Sequence, residues 1–280
     1  MISALFISDE LAIRRQIHGY HQNFLNSFLQ YFDPRGKKIL EVGGNFNPTV
    51  VMEDIGVAQW IAVQDPSFPY NQPTPNGESG TNSRGEFHIG NGYTLVLKDF
   101  DQFAQEEIQP SFDAAFSMAC FEHVSTLPRM LSNIKRLLKP GGMLYTIFAP
   151  IWSGPNGHHF NETLIPNSLR LGHEQVQLLL NPWEHLYLDR TSLVKRHESV
   201  YGYDLASEIA HVVYNHPHVN RWHFEDYNHA VSKLSFQWYR LRGLFEADPP
   251  EEITSTLDKR YGQSVYKNFR SSGIELIAIR

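Results

Sequence analysis

Apolar residues recur at three- and four-residue intervals through Leu11, Ile13, Ile17, Tyr20, Phe24, Leu25, Phe28, Leu29 and Phe32, the stripe that one face of a helix requires. Asp33-Pro34-Arg35-Gly36 stops it, because proline takes the residue before it out of helical geometry and glycine lets the chain turn. Residues 1–36 therefore read as an N-terminal helix. From Lys37 the pattern changes to short apolar runs: 37–44, ending in two glycines; 60–64, ending at Asp65; 93–98, ending at Asp99; 113–118; and 143–149. Such runs, bounded by turn residues, predict buried strands. Helix-compatible stretches separate them, at 48–57 and most clearly at 127–138, where Leu127, Met130, Leu131, Ile134, Leu137 and Leu138 share a face. Lys135, Arg136 and Lys139 suit the negative end of that helix, and Pro140-Gly141-Gly142 follows as its stop. The alternation predicts βαβ units: an α/β fold with a doubly wound, mostly parallel sheet.

Two stretches depart from this rhythm. Residues 66–86 are rich in Pro, Gly, Asn and Ser and predict a long loop, mobile or facing a substrate. After Pro150, residues 151–262 hold helical pieces at 205–214 and 230–241 between segments dense in His, Asn, Trp and Tyr. This reads as a helical insertion, or lid, after the fifth strand. The end, 263–280, carries alternating Ile274, Leu276, Ile277 and Ile279 and reads as a closing edge strand of the core. The boundaries are thus 1–36 for the N-terminal helix, 37–150 for the core, 151–262 for the insertion and 263–280 for the closing strand. For 280 residues, at roughly 150 per domain, that is one fold and its lid.

Charge narrows the function classes. Lys and Arg number 24 against 30 Asp and Glu, a net charge of −6, which disfavours a polyanion such as nucleic acid as partner. One cysteine, Cys120, allows neither an internal disulfide framework nor a cysteine zinc site, and points to a reducing, cytoplasmic setting. No apolar run is long enough for a membrane span, and the charged N-terminus does not resemble a signal peptide.

Candidate chemistry begins at Ile39-Leu40-Glu41-Val42-Gly43-Gly44-Asn45, where an acid lies two positions before a glycine turn at a strand end. Glycine lets a ligand approach the backbone, and free N–H groups follow where a helix starts. A dinucleotide fingerprint needs Gly-x-Gly-x-x-Gly, and no glycine follows Gly44 until Gly56, which weighs against a nicotinamide-dependent oxidoreductase. An acid before the glycines suits an amine-bearing ligand better than a pyrophosphate.

The segment resembles motif I of the class I S-adenosylmethionine-dependent methyltransferases, and the resemblance spans residues 37–150. Phe112-Asp113-Ala114-Ala115-Phe116-Ser117-Met118-Ala119-Cys120-Phe121-Glu122-His123-Val124 resembles the fourth-strand motif with its Glu-His-Val ending. Leu137-Leu138-Lys139-Pro140-Gly141-Gly142 resembles the passage into the fifth strand. The resemblance implies a Rossmann-like fold and S-adenosylmethionine as cofactor, with S-adenosylhomocysteine as product. It further implies that Glu41, Gly43, Gly44 and Asn45 line the methionine end, that Asp65 takes the ribose hydroxyls, and that Asp99 takes the adenine amino group with Phe100 beside the ring. Asn45 and Asn47 stand where the family often has glycines; asparagine tolerates positive φ, so the turn survives. Each acid also has a plain alternative: Glu41 bridging solvent or serving a helix end, Asp65 starting a turn, Asp99 capping a helix with Asp101 competing for the adenine.

For a hydroxyl acceptor the proton must leave, and histidine is the usual base near neutral pH. Of the 14 histidines, His123, His158 and His159 follow strands where acceptor contacts are expected. They are the candidate catalytic residues, the alternative being that they brace loops. His18 with His21, and His211, His216, His218 and His223, form no known ligand pattern, so no metal is expected. The expectation is O-methyl transfer to a small-molecule acceptor. Its rivals are N- or C-methyl transfer without a histidine base, and a non-catalytic methyltransferase-like binding protein.

Overall fold

The structure, a computed structural model, describes residues 5–44, 46–66, 86–89, 92–160, 164, 179–262 and 264–280. Its frame is one sheet of eight strands: β1 (Lys38–Val42), β2 (Gln59–Gln64), β3 (Glu86–Ile89), β4 (Tyr93–Leu97), β5 (Phe112–Met118), β6 (Leu138–Phe148), β7 (Trp238–Leu244) and β8 (Gly273–Ile279). They lie in the order β3-β4-β2-β1-β5-β6-β8-β7. Strands β4, β2, β1, β5 and β6 pair in parallel; β3 runs antiparallel to β4, and β8 antiparallel to both β6 and β7. From β1 the chain winds outward first through β2 and β4 and then, on the other side, through β5 and β6. The crevice above β1 and β5 is therefore the switch point where open α/β sheets take ligands.

Alternation along the strands fills two cores. Leu40, Val42, Val63 and Ala115 face one side, where α3 (Phe100–Glu106) and α4 (Leu127–Leu137) pack. Ile39, Trp60, Ala62 and Phe116 face the other, against Phe24, Leu25 and Phe28 of α2 (Gly19–Tyr31). A third core lies outside the sheet, where Trp152, Trp183, Leu193, Ile209 and Val213 join α5 (Glu184–Tyr187), α6 (Arg190–Tyr201) and α7 (Tyr203–Tyr214). α8 (Phe224–Ser232) returns to the sheet through Tyr227 and Val231, and α9 (Glu251–Tyr261) seals the helical unit with Leu257.

Several expectations change. The N-terminal stripe is two helices, α1 (Asp9–Arg14) and α2, because Gln16 takes a φ of 54° and His18 caps α2 by accepting the Tyr20 amide. The stretch 48–57 is helical over 48–54, starting as α-helix at 48–49 and widening to a π-helical turn at Val50–Asp54. Pro140-Gly141-Gly142 lies inside the first half of β6 rather than in a loop. Within the expected helix at 230–241, Ser235 at φ 49° breaks the path and 238–244 instead form β7. The sheet therefore extends into the segment expected to be a lid, and β8 is covered by β7 rather than lying at the edge. Residues 67–85, most of the expected long loop, lie outside the described residues. Among the described residues no helix is long and apolar enough to cross a membrane.

Candidate functional site

A groove runs over the carboxyl ends of β1, β2 and β5. One half is walled by Val42, Asp65, Asp99, Phe100, Thr126 and Met130, the other by His18, Tyr20, Glu41, Phe46, Met118 and His159; Gly43, Gln64, Ala119 and His123 line both. Beyond His123 the groove continues between Tyr20, Phe24, Glu122, Ala149, His159 and Phe245.

The turn after β1 forms its floor. Gly43 has a φ of 79°, and a Cβ there would overlap the side chain of Cys120, so only glycine fits on both counts. A Cβ on Gly44 would meet the Glu41 carboxylate. Glu41 is fully buried; it accepts the Phe46 amide on both oxygens, at 3.0 and 2.9 Å, and the Trp60 indole at 2.6 Å. Burial pushes its carboxyl up to about 7, the hydrogen bonds pulling the other way. Glu41 thus holds the turn together from beneath while lining the groove. Asn45 lies outside the described residues.

Asp65 follows β2 at the groove's rim. Asp99 caps α3, its Oδ1 accepting the amides of Asp101 and Gln102 at 3.0 and 3.1 Å, and lines the same half of the groove. Its capping role leaves the adenine reading open, because the cap itself lies on the groove wall. Asp101, its competitor, is occupied: Arg129 Nε lies 2.5 Å from its Oδ2, and Asn133 donates to its Oδ1 at 2.7 Å. Phe100 is buried with its ring on the groove wall. The sequence reading missed Gln64, whose buried Oε1 meets no hydrogen-bond partner among the described residues at the place where the two halves join.

The three candidate histidines separate. His123 and His159 face the groove with ring centroids 5.0 Å apart. His158, adjacent in sequence, lies behind it: the ring is buried, Nδ1 accepts the Phe160 amide at 3.0 Å, and the backbone carbonyl meets His218 Nε2 at 3.1 Å. Among the described residues, those that line the groove do not include His158, whose ring and carbonyl instead brace the passage between core and helical unit. In His123, Nδ1 bonds the His218 carbonyl, so Nδ1 carries the hydrogen and Nε2 is the accepting nitrogen of the neutral ring. Burial lowers the His123 imidazole below its ordinary range and drives His159 down to about 3.

Glu122, read only as part of a motif ending, proves notable. Its side chain is fully buried, neither carboxylate oxygen finds a hydrogen-bond partner among the described residues, and Oε1 lies 3.9 Å from His123 Nε2. Desolvation raises it to about 8, although its own amide and that of Ala149 lean toward it and oppose the shift. Asn220, from the helical unit, straps this turn: its side chain donates to the carbonyls of Phe121 and Val124 at 2.8 and 3.2 Å, and its amide to that of Glu122 at 2.8 Å.

A family described as methyltransferase domain matches residues 13–237. No curated protein sequence matches the chain. Among solved structures, the chain is similar to an S-adenosylmethionine-dependent methyltransferase from Archaeoglobus fulgidus (14% identity, 91% of each chain, TM-score 0.44). Another such enzyme, from Mesorhizobium loti, is similar at 12% identity, covering 95% of this chain and all of that one, with a TM-score of 0.47. A Haemonchus contortus phosphoethanolamine N-methyltransferase is similar at 14% identity, covering 94% of this chain and 53% of that one, with a TM-score of 0.44.

Proposed function

The chain belongs to the methyltransferase domain family and is an S-adenosylmethionine-dependent enzyme, and we propose that its acceptor is a small molecule held at the far end of the groove, beside His123 and His159. The observation that carries this reading is the continuity of the groove from Asp65, Asp99 and Phe100 to the two histidines.

The residues present fit the cofactor. Gly43 brings bare backbone to the groove floor, where a Cβ would overlap Cys120, and Gln64 offers a buried acceptor oxygen with no partner among the described residues. Asp65 and Asp99 offer carboxylates to hydroxyl and amino donors, and Phe100 an apolar ring face. When bound, the cofactor supplies an electrophilic methyl group on a sulfonium. The chain's own contribution is alignment, which in well-oriented cases lowers a barrier by roughly 7–11 kcal/mol, and a place for the acceptor's proton.

A hydroxyl acceptor with a histidine base is the expectation from the sequence, and His123 has the better geometry for it, with Nε2 as the accepting nitrogen. Burial makes His123 and His159 weak bases, which favours acceptors whose proton leaves easily. Calorimetric titration with S-adenosylhomocysteine tests the cofactor half of this reading. Saturable binding that Gly43→Val abolishes is expected; no heat and no thermal shift with millimolar ligand would overturn it.

A further inference from the structure

We propose that Glu122 makes the far end of the groove, beyond His123, a site for an amine, which enters as its ammonium ion, pairs with this carboxylate and leaves its proton on it. The inference rests on the methyltransferase reading and deepens it by naming the acceptor class.

The cavity combines a buried carboxylate with walls that do not neutralise it. Tyr20, Phe24, Ala149 and Phe245 supply aromatic and apolar surface, His123 and His159 are held neutral, and no lysine or arginine lines it among the described residues. An uncompensated buried carboxyl is costly, and its charged form is retained only when a partner cation arrives. Aromatic faces add to the attraction of a cation in such a place. A neutral alcohol in the same cavity can hydrogen-bond to the carboxyl but brings no charge to balance its ionised form.

Basicity makes Glu122, rather than His159, the proton acceptor of this cavity. A phenol loses its proton near 10 and an alkylamine near 10.4, whereas His159 is held at about 3, too weak to take either proton effectively. The Glu122 carboxyl, at about 8, is far closer to an ammonium. The groups that face it are Tyr20, Cys120 and Tyr227, whose own protons its charge holds on more firmly, with His123 and His159 across the cavity. None of these is a cation.

The step balances. The ammonium gives one proton to a Glu122 oxygen and becomes an amine with a lone pair. The amine nitrogen then forms a bond to the methyl carbon as the carbon–sulfur bond breaks, that bond's electron pair remaining on sulfur. The products are a methylated ammonium and a neutral sulfide, and the proton on Glu122 returns to solvent before the next turnover.

The test is calorimetry on the full chain saturated with S-adenosylhomocysteine, using benzylamine, N-methylbenzylamine and 2-phenylethylamine, each beside the alcohol of matching skeleton. At least one amine is expected to bind ten-fold or more tightly than its alcohol. At pH 7 its binding heat should depend on the ionisation enthalpy of the buffer, because the protonated carboxyl must release a proton to pair. Glu122→Gln, nearly isosteric and keeping an oxygen for the two backbone amides beside it, is expected to weaken the amine at least ten-fold and leave S-adenosylhomocysteine affinity unchanged. Amine and alcohol binding alike, an amine indifferent to Glu122→Gln, or no amine binding at all would each overturn the proposal. Failure of S-adenosylhomocysteine to bind would instead strike the methyltransferase reading. The buffer dependence needs only the wild-type chain, so a variant that misfolds does not spare the proposal.

Discussion

The Glu41 carboxylate accepts the indole N–H of Trp60 at 2.6 Å, tying the end of β1 to the neighbouring strand beneath the floor of the groove. With the Phe46 amide on the same carboxylate, one side chain fixes both the strand pair and the turn that would meet the cofactor. Glu41→Ala leaves two buried donors unpaired and is expected to cost about 2–4 kcal/mol, read as a shift in urea midpoint. Glu41→Gln keeps an accepting oxygen and should cost less than half as much. Equal losses in the two variants would contradict the bracing role.

Gly43 couples the same turn to the fourth-strand motif. Adding a methyl group there strains a left-handed residue, by about 1–3 kcal/mol, and drives it into Cys120. Gly43→Ala is expected to weaken S-adenosylhomocysteine at least ten-fold in calorimetry. Because Cβ as well as Sγ of Cys120 would be struck, Cys120→Gly should recover part of the loss and Cys120→Ala less.

Much of this was legible in the sequence, for reasons that differ by element. Strands β1, β2, β4 and β5 are buried on both faces, so each appears as an unbroken apolar run, and the glycine turn carries its own signature. Strand β7 lies at the sheet's edge, only half covered; with Ala230, Leu234, Trp238 and Leu241 at helical spacing, periodicity could not separate it from α8. The break between α1 and α2 was hidden because Ile13, Ile17 and Tyr20 keep the helical interval across it; only His18 followed by Gly19 hinted at a new start. His158 and His159 could not be told apart, since neighbours in an irregular segment point to opposite sides. Glu122 gave no signal beyond its motif, because its significance lies in lacking a partner.

Several buried histidines make the fold sensitive to acid. Burial lowers His159 to about 3 and His185 and His218 to about 4. In the unfolded chain they titrate near 6.5, so between these values the unfolded state binds more protons and stability falls as pH falls. Glu41 and Glu122, raised to about 7 and 8, act in the opposite sense: their contribution falls as pH rises from about 4.5. With the histidines more numerous, the melting temperature is expected to be lower at pH 5 than at pH 7. His185→Gln should flatten that slope; a melting temperature that rises on acidification would contradict the assignment.

Asn220 joins the helical unit to the groove through its three bonds to the Phe121–Val124 turn, and its Oδ1 accepts the Tyr227 hydroxyl at 2.9 Å and the Trp222 amide at 3.1 Å. Asn220→Ala removes the side-chain bonds and is expected to cost about 2–4 kcal/mol in urea unfolding. Protection of the Glu122 and His123 amides from hydrogen exchange should fall more than that of β2. A uniform loss across the chain would show that the strap is not local.

The central claim is that one groove holds cofactor and acceptor end to end over β1 and β5. A crystal structure of the complex with S-adenosylhomocysteine tests it most directly. The adenine is expected against Phe100 and on Asp99, the ribose on Asp65, the homocysteine above Gly43 and Gln64, and the sulfur directed at the cavity of Glu122, His123 and His159. A ligand bound elsewhere, or seated with its sulfur facing away from that cavity, would contradict it.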